Sequence, residues 1–176
     1  MIDFSQNHFA LFGLAPTYRL DAQQLDAAYR RLQNEVHPDR HAAAAESDRR
    51  LALQASARVN EAYRALKNPV DRAQYLLSLH GIDAMSETDT SLPPEFLEQQ
   101  LERREAVSDA SLGGDPRALE QLLAQVRAEM GALERALQSE LDAAQPLTAA
   151  RSTVRKLKFL SKLASDIESA IVDAEA

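Results

Sequence analysis

Two amphipathic stretches joined by the tripeptide His37-Pro38-Asp39 constrain the fold of this chain more than any other feature. Within each stretch the apolar residues recur every three or four positions, which places them on one face of an α-helix. The two stripes consist of Leu25, Ala28, Tyr29, Leu32 and Val36 in the first and of Leu51, Ala55, Val59, Ala62 and Leu66 in the second. Because proline restricts the residue before it to extended backbone, the first helix should end near Val36. The sequence therefore predicts a helical hairpin whose loop exposes an imidazole and a carboxylate.

The composition of the whole chain also favours helices. Ala, Leu, Glu, Gln and Arg dominate, whereas the 176 residues include only 5 glycines and 7 prolines. Hydrophobic residues make up 45% of the chain, which is sufficient for packed cores. No run alternates with the two-residue period of a strand. We therefore expect an all-α protein.

Prolines and glycines mark the helix boundaries in the second half. Pro93 and Pro94 suit the first turn of a helix that should reach about Leu112. The segment 113–116 (GGDP) should end that helix and start the next, because it supplies glycine at a C-terminus and aspartate followed by proline at an N-terminus. The two apolar stripes that follow are Leu119, Leu122, Leu123, Val126, Met130, Leu133, Leu137 and Leu141, and then Val154, Leu157, Leu160, Leu163, Ile167 and Ile171. Three helices with short connections predict an antiparallel bundle.

A polar, turn-rich segment at 81–91 lacks helical periodicity and separates the two halves. We predict one domain at 1–80, a linker at 81–91 and the three-helix bundle at 92–176. The net charge of −7 is uneven, with about +1 in residues 1–80 and −8 in residues 81–176. An acidic second half argues against nucleic acid as a partner, because nucleic acid is bound by basic surfaces.

Several functional classes are excluded by what the sequence lacks. With no cysteine, the chain can form no disulfide and can supply no thiolate to a metal or an iron–sulfur cluster. The N-terminus has no signal-peptide pattern and no stretch approaches the ~20 apolar residues of a membrane span, so we expect a cytoplasmic protein. No catalytic arrangement, phosphate loop or metal-ligand spacing is present. We therefore predict neither an enzyme nor a protein with a metal or cofactor.

The first half of the chain resembles a J-domain. Besides the HPD tripeptide, the segments 9–14 (FALFGL), 60–66 (NEAYRAL) and 71–75 (DRAQY) match the opening, the third helix and the final short helix of that family in order and spacing. J-domains activate ATPase chaperones of the DnaK class, so the resemblance implies a chaperone-binding surface. Its implied residues are His37, Pro38, Asp39, Arg30, Arg31 and Arg40. Helical geometry places Arg30 and Arg31 off the apolar stripe, a position that an ordinary solvated face would also explain.

Three later segments extend the resemblance over the whole chain. Residues 75–81 (YLLSLHG), 96–105 (FLEQQLERRE) and 153–160 (TVRKLKFL) are similar to the HscB family, the J-type co-chaperones of iron–sulfur cluster assembly. The resemblance implies an L-shaped molecule with an N-terminal J-domain and a C-terminal bundle. It also implies two partners, an ATPase chaperone of the DnaK/HscA type and the cluster scaffold protein of the IscU type.

An apolar anomaly in the bundle fits a partner surface. Leu97 and Leu101 fall roughly 100° from the face marked by Leu92, Phe96 and Val107, and Phe159 falls about 110° off the stripe of the last helix. A wider core face would explain each residue separately, whereas an exposed patch would explain all three. By resemblance, the scaffold binds here, on residues Leu97, Glu98, Leu101, Glu102, Glu105 and Phe159. The family often has methionine where this chain has Glu98.

Two other interpretations stay open at the sequence level. A general J-domain co-chaperone for unfolded clients would need a broad apolar groove, a Gly/Phe-rich linker or a zinc-binding cysteine module, none of which the sequence contains. A metal-dependent hydrolase could use His37, Asp39 and His41, although Pro38 opposes the helical turn that would align the two histidines. The basic run in residues 151–162 is interpreted as a solvated face.

Overall fold

The computed structural model describes residues 3–37, 45–86, 92–142 and 147–175, and these residues form helices, turns and loops with no β-strand among them. The seven helices are α1 (His8–Leu11), α2 (Ala22–Val36), α3 (Glu46–Lys67), α4 (Pro69–Leu79), α5 (Pro94–Leu112), α6 (Pro116–Asp142) and α7 (Thr148–Glu175). The all-α prediction is confirmed. The chain divides into two compact units, Met1–Leu76 and Leu77–Ala176, and the division falls within α4.

Side-chain caps set the starts of α1 and α2. The Asn7 carboxamide accepts a hydrogen bond from the backbone N–H of Ala10 at the start of α1, and the Asp21 carboxylate accepts two at the start of α2. These bonds satisfy N–H groups that have no partner within the helix. At its other end α2 stops at Val36, as predicted, and His37 leaves it with extended backbone (φ −59°, ψ 127°).

Helices α2 and α3 pack side by side as the predicted hairpin, with α1 against α3. The buried residues of α3 are spaced by three and four positions, and they are Ala52, Ala55, Val59, Ala62 and Leu66. Leu51, which we placed in this stripe, is 45% exposed, so that prediction is wrong. Ala52 occupies the buried position instead, because one residue further along a helix rotates the side chain by about 100°.

The second unit contains the three bundle helices with the predicted boundaries. Helix α5 begins with Pro94 at its first turn and ends at Leu112. Gly114 then adopts positive φ (59°), a conformation that favours glycine, and the Asp115 carboxylate accepts a hydrogen bond from the Ala118 N–H at 3.1 Å. Helix α6 continues through Gly131 without a break. The bundle core joins all three helices and includes Phe96, Leu119, Leu123, Val126, Leu160, Leu163 and Ile167.

Part of the segment after α4 packs on the bundle. Ala84 is buried, and its carbonyl accepts a hydrogen bond from the Arg155 Nε of α7 at 2.6 Å. Arg155 is only 8% exposed, so the interpretation of the basic run as a solvated face is wrong at this position, although Lys162 is exposed. A guanidinium can be buried when a carbonyl accepts from it. Among the described residues, no helix is both long and apolar enough to cross a membrane.

Candidate functional site

The first candidate surface lies at the end of α2. His37 follows the last helical residue directly, and its side chain is exposed. Arg30 and Arg31, which we expected to point away from the packed stripe, are both exposed as well. Pro38, Asp39 and Arg40, the other predicted chaperone-binding residues, lie outside the described residues, as does His41 of the hydrolase alternative. The described part of this surface is therefore solvent-facing and basic.

Directional contacts fix the hairpin that carries this surface. The rings of Tyr29 and Tyr63 stack with centroids 3.9 Å apart. The Tyr63 hydroxyl donates to the Asp26 carboxylate at 2.7 Å, and Lys67 lies 3.7 Å from the same carboxylate. Hydrogen bonding from Tyr63, with the nearby charges of Lys67 and Arg30, lowers the pKa of Asp26. The bond to the Tyr63 hydroxyl, with the carboxylate of Asp26 nearby, raises the pKa of Lys67. The Asp26 carboxylate and the Lys67 ammonium are thus both favoured at neutral pH.

One acceptor links two turns of α2 to α3. The Asn60 Oδ1 accepts from the Tyr29 hydroxyl at 2.9 Å and, through a short contact, from the Gln33 Nε2. Tyr29, Gln33 and His37 succeed one another at intervals of four residues, so they lie along one side of α2. Asn60 belongs to the J-domain signature at 60–66, and no pattern in the sequence predicts this contact.

The second candidate surface is α5, whose residues form three parallel stripes. The inner stripe packs in the bundle and contains Phe96, Gln100, Arg103, Val107 and Ala110. Its polar members are paired: Arg103 donates to the Gln100 Oε1 at 3.2 Å and lies 2.6 Å from a carboxylate oxygen of Glu129 on α6. Gln100 is 1% exposed, and its Nε2 has no hydrogen-bond partner. The spacing of four, three, four and three residues could have placed Gln100 in the core, although its polarity argued for the surface.

The exposed apolar stripe of α5 lies next to the inner one. Leu97 is 46% exposed and Leu101 is 60% exposed, so both point to solvent, as the helical geometry predicted. Arg104 follows at the spacing that continues their line along the helix. Its guanidinium lies 5.0 Å from the centre of the Phe159 ring on α7. The structure therefore brings Leu97 and Leu101 to the same side of the bundle as Phe159, with Arg104 between them.

Phe159 is not exposed in the way that its helical angle suggested. Its ring is half-buried against the bundle core and meets Phe96 edge-to-face, with the centroids 5.8 Å apart. The prediction that Phe159 lies off the packing faces is therefore wrong. Helix α7 packs against both α5 and α6, so its buried arc is wider than the stripe of a helix with one neighbour. The remaining exposed edge of Phe159 belongs to the surface that includes Arg104.

An acidic stripe borders the apolar one. Glu98, Glu102 and Glu105 are all exposed and recur at intervals of four and three residues. Cations stand on the other border: Arg104 covers Phe159, and the Lys156 Nζ lies 5.7 Å from the centre of the Phe96 ring. The sequence analysis interpreted Lys156 as part of a solvated face and assigned no role of its own to Arg104. The surface is thus an apolar strip with negative charge on one side and positive charge on the other.

The described residues show no group of three or more His, Cys, Asp or Glu side chains that could hold a metal ion. The two surfaces have the character of binding faces: one is basic with an exposed imidazole, and the other is apolar with charged borders. Exposed apolar side chains with a polar rim are typical of protein-binding sites.

Comparisons with known proteins agree over the whole chain. Residues 7–75 match the DnaJ domain family, and residues 92–168 match the family described as the HSCB C-terminal oligomerisation domain. The chain is 46% identical over 167 residues to the co-chaperone protein HscB homolog of Ralstonia nicotianae, covering 95% of each sequence. It is 44% identical over 170 residues to the homolog of Azoarcus sp., covering 97% of this chain and 96% of that protein.

Two solved structures show the same architecture. The chaperone HscB from Vibrio cholerae superposes with a TM-score of 0.83 at 39% identity, over 93% of this chain and 96% of the other. The human co-chaperone protein HscB superposes with a TM-score of 0.87 at 26% identity, over 94% of this chain and 82% of the other. With both halves matched in order and relatives aligned end to end, the chain belongs to the HscB family of J-type co-chaperones.

Proposed function

We propose that this protein stimulates ATP hydrolysis by a chaperone of the DnaK/HscA type and delivers to it an iron–sulfur scaffold protein of the IscU type. One observation carries the proposal: a single chain holds an exposed histidine at the end of a helix with two exposed arginines in one unit and an apolar strip with charged borders in the other. The first is the kind of surface that docks on an acidic ATPase, and the second is the kind that holds a folded client.

Linking two binding surfaces explains how such a protein acts without chemistry of its own. Once the scaffold is held on α5 and the chaperone is engaged at the hairpin, the second encounter becomes intramolecular, which raises the effective concentration of the client. The chaperone is then shifted toward the conformation that hydrolyses ATP, because that conformation binds the hairpin better. The catalytic step stays on the chaperone, so this protein is proposed to be an activator and no enzyme.

The test is steady-state ATP hydrolysis by the HscA-type chaperone, with this protein and the scaffold added singly and together. We expect stimulation by this protein alone, and a larger, synergistic stimulation with both. His37→Gln should abolish stimulation and leave scaffold binding intact, since His37 is exposed and lies in the other unit. Full stimulation by that variant would contradict the chaperone-activating role.

The chaperone interaction should also depend on salt. Arg30→Ala combined with Arg31→Ala should weaken docking mainly through the association rate, and wild-type affinity should fall as salt rises. Both side chains are exposed, so the stability of the hairpin should change little. A salt-independent interaction would mean that these arginines are ordinary solvated residues.

The scaffold-binding part is tested separately. Leu97→Ser with Leu101→Ser should remove most scaffold binding, because a few central apolar anchors supply most of the energy of such interfaces. Val172→Ser is the matched control, since Val172 is 65% exposed and lies 13 residues, about 20 Å along α7, beyond Phe159. Equal scaffold affinity in both variants would reject this surface, and equal affinity of the wild type for unfolded chains would favour a general co-chaperone.

A further inference from the structure

Val36 is the one buried apolar side chain in the last two turns of α2. The buried residues of this helix are Leu25, Ala28 and Val36, so two turns between Ala28 and Val36 contribute no fully buried side chain. Helix ends fray because their last carbonyl groups lack intrahelical partners, and α2 has no basic residue in its last turn to compensate. Half-buried contacts therefore help Val36 to hold the last two turns of α2, which lead into His37.

The antiparallel register of the hairpin identifies those contacts. Asp26 faces Lys67, Tyr29 faces Tyr63 and Gln33 faces Asn60, so each turn toward His37 is matched by a turn toward the start of α3. The hydrogen bonds of Asn60 to Gln33 and Tyr29 link α3 to α2 one and two turns before His37. The link of Asp26 to Tyr63 lies 11 residues before His37, about 16 Å along the helix.

We propose that Asn60 is a positioning residue for the chaperone-activating loop. Its side-chain carbonyl accepts from Tyr29 and Gln33 at once and so holds the last two turns of α2 against α3. His37 follows one turn beyond Gln33, directly after the turns that Asn60 holds. The inference rests on the proposed function of the loop, and it assigns to Asn60 a share in activation without contact with the chaperone.

A role in positioning differs from a role in overall stability. Tyr29, Gln33 and Asn60 are all half-buried, so water can take over hydrogen bonds lost in Asn60→Ala and the protein should remain folded. What should change is the fraction of molecules whose last turns of α2 are ordered. Since one or two hydrogen bonds are lost, the ratio of ordered to disordered molecules should fall by about threefold to tenfold.

The experiment measures two quantities on the full-length protein. The first is chaperone ATPase stimulation as a function of concentration, which separates maximal stimulation from the concentration for half-maximal effect. The second is amide hydrogen exchange of residues 33–36, which requires no partner. Asn60→Ala should accelerate exchange of these amides by roughly threefold to tenfold and lower maximal stimulation by up to the same factor.

Two variants separate the possible causes. Asn60→Asp keeps an oxygen acceptor for both donors and should retain near-wild-type stimulation. Tyr63→Phe keeps the ring stacking on Tyr29 but removes the more distant link to Asp26, and it should also retain stimulation with unchanged exchange in residues 33–36.

Three outcomes would overturn the inference: full stimulation by Asn60→Ala, an equal loss in Tyr63→Phe, or an equal loss in Asn60→Asp. A wild-type protein that stimulates no chaperone would reject the proposed function instead. In that case, faster exchange in Asn60→Ala alone would still show that Asn60 orders the end of α2.

Discussion

The α2–α3 hairpin and the α6–α7 pair hold two helices together by different means. In the hairpin half of the buried residues are alanines, and the contacts that cross it include a stacked tyrosine pair and hydrogen bonds to Asn60 and Asp26. In the bundle, long stripes of leucine, valine and isoleucine face one another and are almost completely buried. Alanine brings two helix backbones close but buries little area, so directional contacts fix the register. Leucine stripes bury area and leave most polar groups at the surface.

The two regions differ in whether a local loss of order also lowers the stability of the whole unit. A helix pair that is held by individual hydrogen bonds can lose one of them and still fold, with a local loss of order. A pair that is held by a continuous apolar stripe resists local change, and truncation of one buried side chain weakens the whole unit. The hydrogen-bonded hairpin suits a loop whose orientation can change locally, and the apolar bundle suits a rigid surface that binds another protein.

Truncation in the bundle core should have the largest effect. Leu160 is 0% exposed, so Leu160→Ala should lower the free energy of unfolding by about 2–5 kcal/mol through lost burial and a residual cavity. Denaturant unfolding of the full chain measures this change. Leu97→Ala is the matched control, because Leu97 is exposed on α5 and its loss should change the free energy of unfolding little. If both substitutions lower the free energy of unfolding equally, the stability of the bundle does not depend on its buried apolar stripes.

Phe159 should show an intermediate effect, because it serves both core and surface. Phe159→Ala should lower the free energy of unfolding by about 1–3 kcal/mol, since the ring is half-buried and pairs with Phe96. Phe159→Leu keeps most of the volume and should recover stability. A thermal melt checks both variants. An unchanged melting temperature in Phe159→Ala would restore the fully exposed position that its helical angle suggested.

A smaller and local effect is expected in the hairpin. Tyr63→Phe removes the hydroxyl that donates to Asp26, and this bond is the main reason that the pKa of Asp26 lies below its ordinary value. The pKa of Asp26 should therefore rise in the variant. In the wild type, the stability from this contact is present above the ordinary aspartate pKa and is lost as pH falls through the lowered value. Carboxyl NMR titration of both proteins measures the shift, and an unchanged Asp26 pKa would show that the hydroxyl is not what stabilises the carboxylate.

Much of the fold could be predicted because proline, glycine and capping residues determine helix ends locally. The end of α2 at Val36, the extent of α5 and the cap at Asp115 all followed from such signals. The failures concern the faces of helices, which depend on neighbours. Leu51 is one position off the stripe that meets α2. Arg155 is buried, and its Nε donates to the carbonyl of Ala84, a residue 71 positions earlier in the chain.

The candidate surfaces divide in the same way. The stripe of Leu97 and Leu101 was predictable, because exposure on α5 follows from helical angle alone. Phe159 was misplaced because α7 has two helical neighbours, and the cation of Arg104 above it depends on how α5 and α7 meet. The contacts of Asn60 could not be predicted for the same reason. Its two donors lie on another helix, 27 and 31 residues earlier in the chain.

The smallest expected effect concerns His8, which tests whether the first unit contains a pH-sensitive contact. His8 is buried at the start of α1, its ring stacks on Tyr75 with centroids 4.1 Å apart, and Arg58 and Glu61 of α3 are the charged groups near it. Burial, and then the charge of Arg58, lower the pKa of His8 below its ordinary value of 6.5, while Glu61 acts in the opposite direction. Folding therefore favours the neutral imidazole.

The sign of the pH dependence follows from this shift. As pH falls through the ordinary histidine value, the unfolded chain takes up a proton that the folded chain does not, so the first unit should lose stability between pH 7.5 and 5.5. His8→Phe keeps an aromatic ring against Tyr75 and cannot titrate, so its stability should depend less on pH over that range. Denaturant unfolding at several pH values, followed by the signal of the tyrosines, compares the two proteins, since all four tyrosines lie in the first unit. If the variant loses stability as steeply as the wild type, the proton is taken up elsewhere and the His8 contact is only packing.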